Sequence, residues 1–396
     1  MRVLVSAFQC APGRGSEPGA GWRWSTALAD YGHDVTVLTL PEFRDPVLAG
    51  GRTDIDFHFV EFAGKPIPIQ PIVGYDVYRR WQQAAYDYAV ALGGKFDLVH
   101  HVTWGSLHLG SRLYQLPAPL VYGPIGGGQT APKELRGYFG GDWWKEVLRN
   151  EATGSLLKLN PWTRDTLRNA AVVLVTNTAT ESACRRFGAR DVRYFLDSGI
   201  PREWVSRPRQ RPAGVPVVFW AGRMLTRKAP VLAVRAFAEL RKTTPARLVM
   251  AGEGFLSQQV RDTAERLGIA KDVDLLGQVP WDDIALLYDS ASLLLFTSLR
   301  ESFGTQILEA MGRGLPVVCL DLHGIADAKV GLAAEKVPIP AIPDELPARL
   351  ADAMRTVLSA GRWEARSAGA VEFASEHTFE AKAAAVTRIY QEVARR

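Results

Sequence analysis

The chain predicts an α/β protein of two successive domains, each a mostly parallel sheet covered by helices. Three observations predict it. At 396 residues it exceeds what one hydrophobic core usually supports. Short apolar runs alternate with amphipathic stretches along its length, the strand–loop–helix rhythm of parallel sheets. A Pro/Arg-rich stretch, Ile200–Pro216, parts that rhythm into two series.

The first series predicts strands at Val3–Phe8, Asp34–Thr39, Asp56–Phe62, Asp97–Val102, Leu120–Tyr122, Ala171–Thr176 and Val192–Leu196. Amphipathic stretches such as Trp22–Tyr31 and Tyr75–Leu92 lie between them as helices. The second series predicts strands at Val217–Ala221, Arg247–Ala251, Val273–Leu276, Leu293–Thr297 and Pro316–Leu320. Its helices fall near Val231–Lys242, Ser257–Leu267, Trp281–Ser290 and Thr305–Arg313. The expected domains are 1–205 and 206–375, with 376–396 a C-terminal helix crossing back to the first. Ligands of open parallel sheets bind beyond the carboxyl ends of the strands, so two such sheets facing one another can share a cleft.

Composition narrows the class. A hydrophobic share of 47% with 22% charged residues suits a soluble globular protein. Cys10, Cys184 and Cys319 are widely spaced without a metal-ligand pattern, and read as reduced thiols of a cytoplasmic protein. The opening run MRVLVSAF leads into a Gly/Pro loop and lacks the features of a signal peptide. No stretch of about 18 apolar residues appears. The net charge of +5 fits a phosphate-bearing ligand or an anionic membrane surface. Its basic residues are scattered and form no nucleic-acid recognition motif, so nucleic acid is not an expected partner.

The second half carries the chemistry. In Leu294–Gly324 a buried strand ends at Thr297–Ser298, a short loop carries Glu301 and Gly304, and a helix starts near Thr305. A helix start offers free N–H groups and partial positive charge to a pyrophosphate, and Gly304 allows close approach. Glu301 and Glu309 bracket that start as acceptors for sugar hydroxyls. In Phe219–Lys228 a strand ends at Ala221–Gly222, and Arg223 and Lys228 follow as a fork donor and a point charge able to neutralise a diphosphate. Met250–Gly254 again sets glycines after a strand.

Together these residues resemble the donor-binding domain of a GT-B glycosyltransferase, most similar to family 4 of the retaining enzymes (glycosyl transferases group 1). The elements are Gly222-Arg223…Lys228, Gly252-x-Gly254, Gly277–Val279, Glu301-x₇-Glu309 and Gly314–Val318, in that order. The resemblance implies two facing Rossmann-like domains and transfer of a hexose-type sugar from a nucleotide-diphosphate sugar to a hydroxyl acceptor. It implies Arg223 and Lys228 as a diphosphate clamp, Glu309 on the ribose and Glu301 on the transferred sugar. The backbone of Phe303, Gly304, Thr305 and Gln306 would meet the phosphates, Gln278 and Val279 would flank the base, and Gly222, Gly252 and Gly254 would line the donor site. The donor, UDP- or GDP-linked, is a co-substrate, and no metal or other cofactor is expected. Glycans, lipid-linked sugars and small natural products are the acceptor classes.

The first half fits the same family more loosely. Its Gly-rich loop Pro12–Gly21 follows the first strand, with Gly19 and Gly21 as expected neighbours of the donor phosphate and Glu17 near either substrate. The fourth strand ends in His100–His101, where the family often carries His-x-His. Adjacent strand residues face opposite sides, so one can serve, and His101 is the expected sugar contact. Three consecutive glycines in Tyr122–Thr130 predict a substrate loop, with Gln129 as a polar contact. Asp142–Lys145, DWWK, and Trp162 mix indole with basic groups, which suits peripheral contact at the inner face of a membrane, a sugar groove or ordinary core. Asp54–Ile55–Asp56 and Asp272–Val273–Asp274 imitate a metal-binding Asp-x-Asp but open strands at the end away from the cleft, and are expected to be surface carboxylates. A nucleotide-sugar 2-epimerase and a non-catalytic nucleotide-sugar-binding protein are the alternatives. An NAD(P) oxidoreductase is disfavoured because Thr39–Leu40–Pro41 stands where an acidic ribose ligand would follow the second strand.

Overall fold

The computed structural model describes residues 1–64, 72–151, 160–359 and 361–395. Two compact units emerge, and the boundaries differ from the expected ones. Unit one comprises Met1–Gly128, Glu151–Gly199 and Phe379–Arg396; unit two comprises Gln129–Asn150 and Ile200–Thr378. The stretch 129–150 belongs to the second unit because its side chains bond to that unit's loops, a relation invisible in local sequence.

In unit one the described strands form a seven-stranded parallel sheet ordered β3-β2-β1-β4-β5-β6-β7. They are β1 Arg2–Ser6, β2 Asp34–Thr39, β3 Asp56–Phe59, β4 Leu98–His101, β5 Leu120–Ile125, β6 Val172–Val175 and β7 Val192–Tyr194. Alternate residues feed two cores. Leu4, Val99, Tyr122 and Val173 pack on one face with Tyr78 and Trp81 of helix Ile72–Leu92. Val3, Val5, Val37, Leu98 and Val121 pack on the other with Trp24 of helix Ser16–Asp30. Val386, Ile389 and Tyr390 of helix Phe379–Ala394 complete that second core. The period-two side-chain direction of a strand, with both faces covered, explains why these runs are apolar throughout.

Unit two repeats the order: a six-stranded parallel sheet β10-β9-β8-β11-β12-β13. Its strands are β8 Val217–Ala221, β9 Arg247–Ala251, β10 Val273–Gly277, β11 Leu293–Phe296, β12 Val317–Leu320 and β13 Ala334–Val337. All twelve predicted runs form strands. The thirteenth, β13, reads AEKV and escapes apolar patterning because it is an edge strand pairing with β12 alone, where charged residues are tolerated. In each sheet the order reverses between a central pair, β1/β4 and β8/β11, and the carboxyl ends of such a pair are where open α/β sheets hold ligands.

Candidate functional site

In unit two the ends of β8, β9 and β10 are joined backbone to backbone. Gly252 N–H donates to Gly277 O at 2.7 Å, Gly222 N–H to Ala251 O at 3.0 Å, and Met224 N–H to Glu253 O at 2.8 Å. A Cβ on Gly252, whose φ is +126°, would lie 2.0 Å from Gly222 O, and one on Gly254 would lie 2.4 Å from Met224 O. Glycine is thus required by contact between neighbouring loops. Beside them opens a cavity of about 540 Å³ lined by Met224, Gly252, Glu253, Gly254, Ser257, Arg261, Leu275 and Gly277. That volume suits a small organic ligand. Gln278 and Val279, expected to flank a base, follow Gly277 but do not line it.

Past β8 the chain makes a short turn, Thr226–Lys228, before helix Pro230–Arg241. Thr297, past β11, pins the turn: its hydroxyl is shared between the carbonyls of Lys228 (2.9 Å) and Ala229 (3.0 Å), and it accepts from the Trp220 indole at 3.1 Å. Lys228 is buried, its Nζ 2.5 Å from Glu301 Oε2 and 5.2 Å from the Phe296 ring centroid. Arg227 donates to the same oxygen at 2.9 Å. Burial would raise the Glu301 carboxyl, but Lys228 and Arg227 more than reverse this, and it lies below its usual value. Burial pushes the Lys228 ammonium down, against the pull of Glu301. Arg223 is exposed and near enough to Lys228 to repel it. Three cations around one ionised carboxylate leave an excess of positive charge.

Gly304, with φ +108°, leads into helix Thr305–Gly312, whose start no side chain caps. A Cβ there would meet the Phe296 ring at 2.6 Å. Phe303 is buried against Phe373, Thr305 is exposed and Gln306 half-buried. Glu309, one turn on, is buried and held: Trp281 Nε1 donates to one oxygen at 3.1 Å and Tyr288 OH to the other at 3.0 Å. This bracket of aromatic donors is why a carboxylate is tolerated before the packed turn at Gly314.

The sequence reading paired Arg223 with Lys228; the structure places Arg227, unremarked in sequence, on Glu301. Its only signal was adjacency to Lys228. Trp281 and Tyr288, 28 and 21 residues before Glu309, gave none.

Unit one corrects several expectations. A Cβ on Gly19 would lie 1.9 Å from Arg14 O and one on Gly21 2.1 Å from Gln9 O, so these glycines let helix Ser16–Asp30 pack on its own preceding loop. Glu17 is half-buried and accepts the Trp104 N–H at 2.7 Å. His101 is not at a surface: it is fully buried, with Nδ1 3.2 Å from Ser6 Oγ and Nε2 3.4 Å from Tyr78 OH. His100 is buried on the opposite face, 2.7 Å from Gly123 O and 2.5 Å from Tyr390 OH. The two rings do point to opposite sides, but both sides are core.

Burial drives His100 down to about 4 and His101 to about 3, the latter helped by His100. The unfolded chain takes up these protons near 6.5 and the folded chain far lower, so stability is lost as pH falls below 6.5. At pH 5 each ring, taken alone, costs about 2 kcal/mol. Thermal unfolding scans should show Tm falling between pH 7 and pH 5, with hydrogen exchange rising in β4 and helix Phe379–Ala394. A Tm that is flat across that window contradicts the assignment.

Both Asp-x-Asp decoys are paired at the surface: Asp54 with Arg52 and Asp274 with Arg247 at 2.7 Å, Asp272 with Arg241 at 2.8 Å, Asp56 with His58 at 2.7 Å. Among the described residues no group of three or more His, Cys, Asp or Glu could hold a metal ion. Trp162 is buried beneath Arg112 and Arg79, 4.1 and 5.0 Å from its ring, whereas Trp144 is 61% exposed. No helix among the described residues is long and apolar enough to cross a membrane.

Two Rossmann-type sheets of this order, the second with a charged strand-end site beside a glycine-lined cavity, define the class: a two-domain α/β protein of the GT-B type. The family model "Glycosyl transferases group 1" matches residues 202–366 and "Glycosyl transferase 4-like domain" matches 22–196. The chain belongs to the group 1 glycosyltransferase family. A D-inositol 3-phosphate glycosyltransferase of Acidothermus cellulolyticus is 31% identical over 248 residues, 56% of this chain and 54% of that protein. The chain spans 27 to 54% of the length of the first curated relatives it matches. Sucrose-phosphate synthase from Thermosynechococcus elongatus aligns over 99% of both chains with a TM-score of 0.70 and 19% identity. HepE of Anabaena, solved with UDP, aligns over 99% of this chain and 100% of its own with a TM-score of 0.63 and 18% identity. At such identities these likenesses speak to the fold.

Proposed function

We propose that this protein is a retaining, metal-independent hexosyltransferase that takes a UDP- or GDP-linked sugar and passes the sugar to a hydroxyl acceptor. The observation that carries the reading is the half-buried Glu301 carboxylate gripped by Lys228 and Arg227 past the ends of β8 and β11, beside the cavity at Gly252–Gly254. A diphosphate is the natural anionic partner for Lys228, Arg227 and Arg223, and with it bound Glu301 accepts from sugar hydroxyls. The uncapped start of helix Thr305–Gly312 adds N–H donors for phosphate. Glu309, oriented by Trp281 and Tyr288, is the acceptor for the ribose hydroxyls in this reading.

Electrostatic stabilisation of the departing diphosphate is the main catalytic effect. The bond from anomeric carbon to phosphate oxygen breaks, the acceptor oxygen attacks from the same face, and the acceptor proton passes to the leaving phosphate oxygen. The acceptor is a glycan, a lipid-linked sugar or a small natural product, and the work is done in the cytoplasm. A peripheral contact with an anionic membrane runs through helix Trp143–Glu151, where Trp144, Val147 and Leu148 stand outward at 61%, 43% and 62% exposure.

One assay tests the reading. UDP- and GDP-hexoses are incubated with chelator, and sugar transfer or slow donor hydrolysis is followed with the anomeric configuration of the product. Vesicles of phosphatidylglycerol, added in a parallel arm, should sediment with the protein. Loss of all turnover in chelator, an inverted anomer, or a 2-epimerised nucleotide sugar without acceptor would each overturn it; protein left in the supernatant removes the membrane contact alone.

A further inference from the structure

Residues 129–150 reach the charged site of unit two from outside its sheet. Arg300 makes a two-pronged ion pair with Glu146, Nε to Oε2 at 2.8 Å and NH2 to Oε1 at 3.2 Å, both side chains largely buried. Gln129, itself buried, donates Nε2 to Ser302 Oγ at 3.3 Å. Glu301 therefore stands between two residues that are each tied to this segment. On the facing loop Thr226 donates to Asp142 at 2.5 Å, immediately before Arg227 and Lys228. The segment is braced in turn: Arg149 donates to Gln129 O at 3.0 Å, His323 Nε2 lies 2.9 Å from Thr130 O, and Tyr138 OH donates to Pro343 O at 2.6 Å.

We infer that Glu146 and Gln129 are positioning residues of the donor site, acting through Arg300 and Ser302 to hold Glu301 where it meets the transferred sugar. The inference rests on the donor reading above and adds an element to it. Arg300 is the residue beside Glu301, yet its fork is committed to a carboxylate, so it orients the loop and leaves phosphate to the other cations. A bidentate pair fixes direction as well as distance. Arg300, Glu301 and Ser302 are consecutive in the loop 297–304 between β11 and the helix, so turning Arg300 turns Glu301 with it. The cavity is lined by other residues and the Glu301 cations are Lys228 and Arg227, so nucleoside diphosphate binding should be indifferent to Glu146 and Gln129.

The test compares Glu146→Gln and Gln129→Ala with the unaltered chain, measuring affinity for UDP, GDP and their hexose conjugates, and kcat and KM for the productive donor. Glu146→Gln should lower kcat/KM by 10- to 100-fold and Gln129→Ala by 3- to 10-fold. Each should bind the bare nucleoside diphosphate within threefold of the unaltered chain, so that the gain in affinity from the sugar is what disappears. A merely structural role would move Tm but not that ratio of affinities. Gln129→Ala keeps the buried charge pair and decides the matter if Glu146→Gln fails to fold. Unchanged ratios and turnover in the variants overturn this inference alone. An unaltered chain that binds no nucleotide sugar overturns the donor reading beneath it.

Discussion

Lys228→Ala should lower kcat for sugar transfer by two to three orders of magnitude, about 3–4 kcal/mol of transition-state stabilisation, the usual worth of one preorganised donor at developing charge. The ammonium is buried, 2.5 Å from Glu301 and pinned through the main chain by Thr297, so it is already aimed and little reorganisation remains. The change also alters pH dependence. Glu301 is held ionised because Lys228 and Arg227 outweigh its burial. With its folded value depressed, the ionised form persists as pH falls until that low value is reached. Without Lys228 burial has the larger say, the carboxyl rises, and the acid limb of the kcat profile moves to higher pH. Lys228→Arg should restore the limb but not the rate, because a planar fork does not fit the space of a buried ammonium. Steady-state kinetics from pH 5 to 8 checks both parts. Turnover within threefold of the unaltered protein, or an acid limb that stays in place, would sink the proposed role.

Gly252→Ala should be the most damaging single methyl group in unit two. The added Cβ would lie 2.0 Å from a backbone oxygen, that of Gly222, which no rotamer change can move. The backbone also sits at φ +126°, a region L side chains rarely adopt. Left-handed strain and overpacking together cost about 2–5 kcal/mol, or roughly 5–15 °C in Tm for a unit of this size. The cavity should distort with it, and nucleoside diphosphate affinity should fall. Gly268→Ala is the matched control: its φ is +70°, but nothing lies within 4 Å of an added Cβ, so only conformational strain of about 1 kcal/mol is expected. Differential scanning calorimetry of the two variants measures the difference. Equal Tm losses would mean that the contact with Gly222 is not what demands glycine.

Several features of the chain carried their meaning in residues a few positions apart. The runs VVFWA and LLLF read as strands because a parallel sheet covered on both sides asks every residue to be apolar. The spacing of Glu301 and Glu309 put one residue before a helix and one a turn inside it. The glycines at 222, 252 and 304 stood out because each follows a strand and precedes a helix, whereas Gly19 and Gly21, read as part of a loop, lie inside helix Ser16–Asp30. In the other cases period and spacing were enough, since the backbone geometry they report is local.

The sequence by itself determined the two α/β series, their strand-end loops and the residue types gathered on them. Only the tertiary structure decided which neighbours those residues meet. It set Gly19 against Arg14 O, closed both faces of β4 over His100 and His101, chose Arg227 for Glu301, and bracketed Glu309 between Trp281 and Tyr288. It also brought Glu146 to Arg300 across 154 positions of chain. The reason is physical: hydrophobic periodicity is written within a few residues, whereas a directed charge contact exists only after helices and sheets have packed and fixed where each side chain can reach.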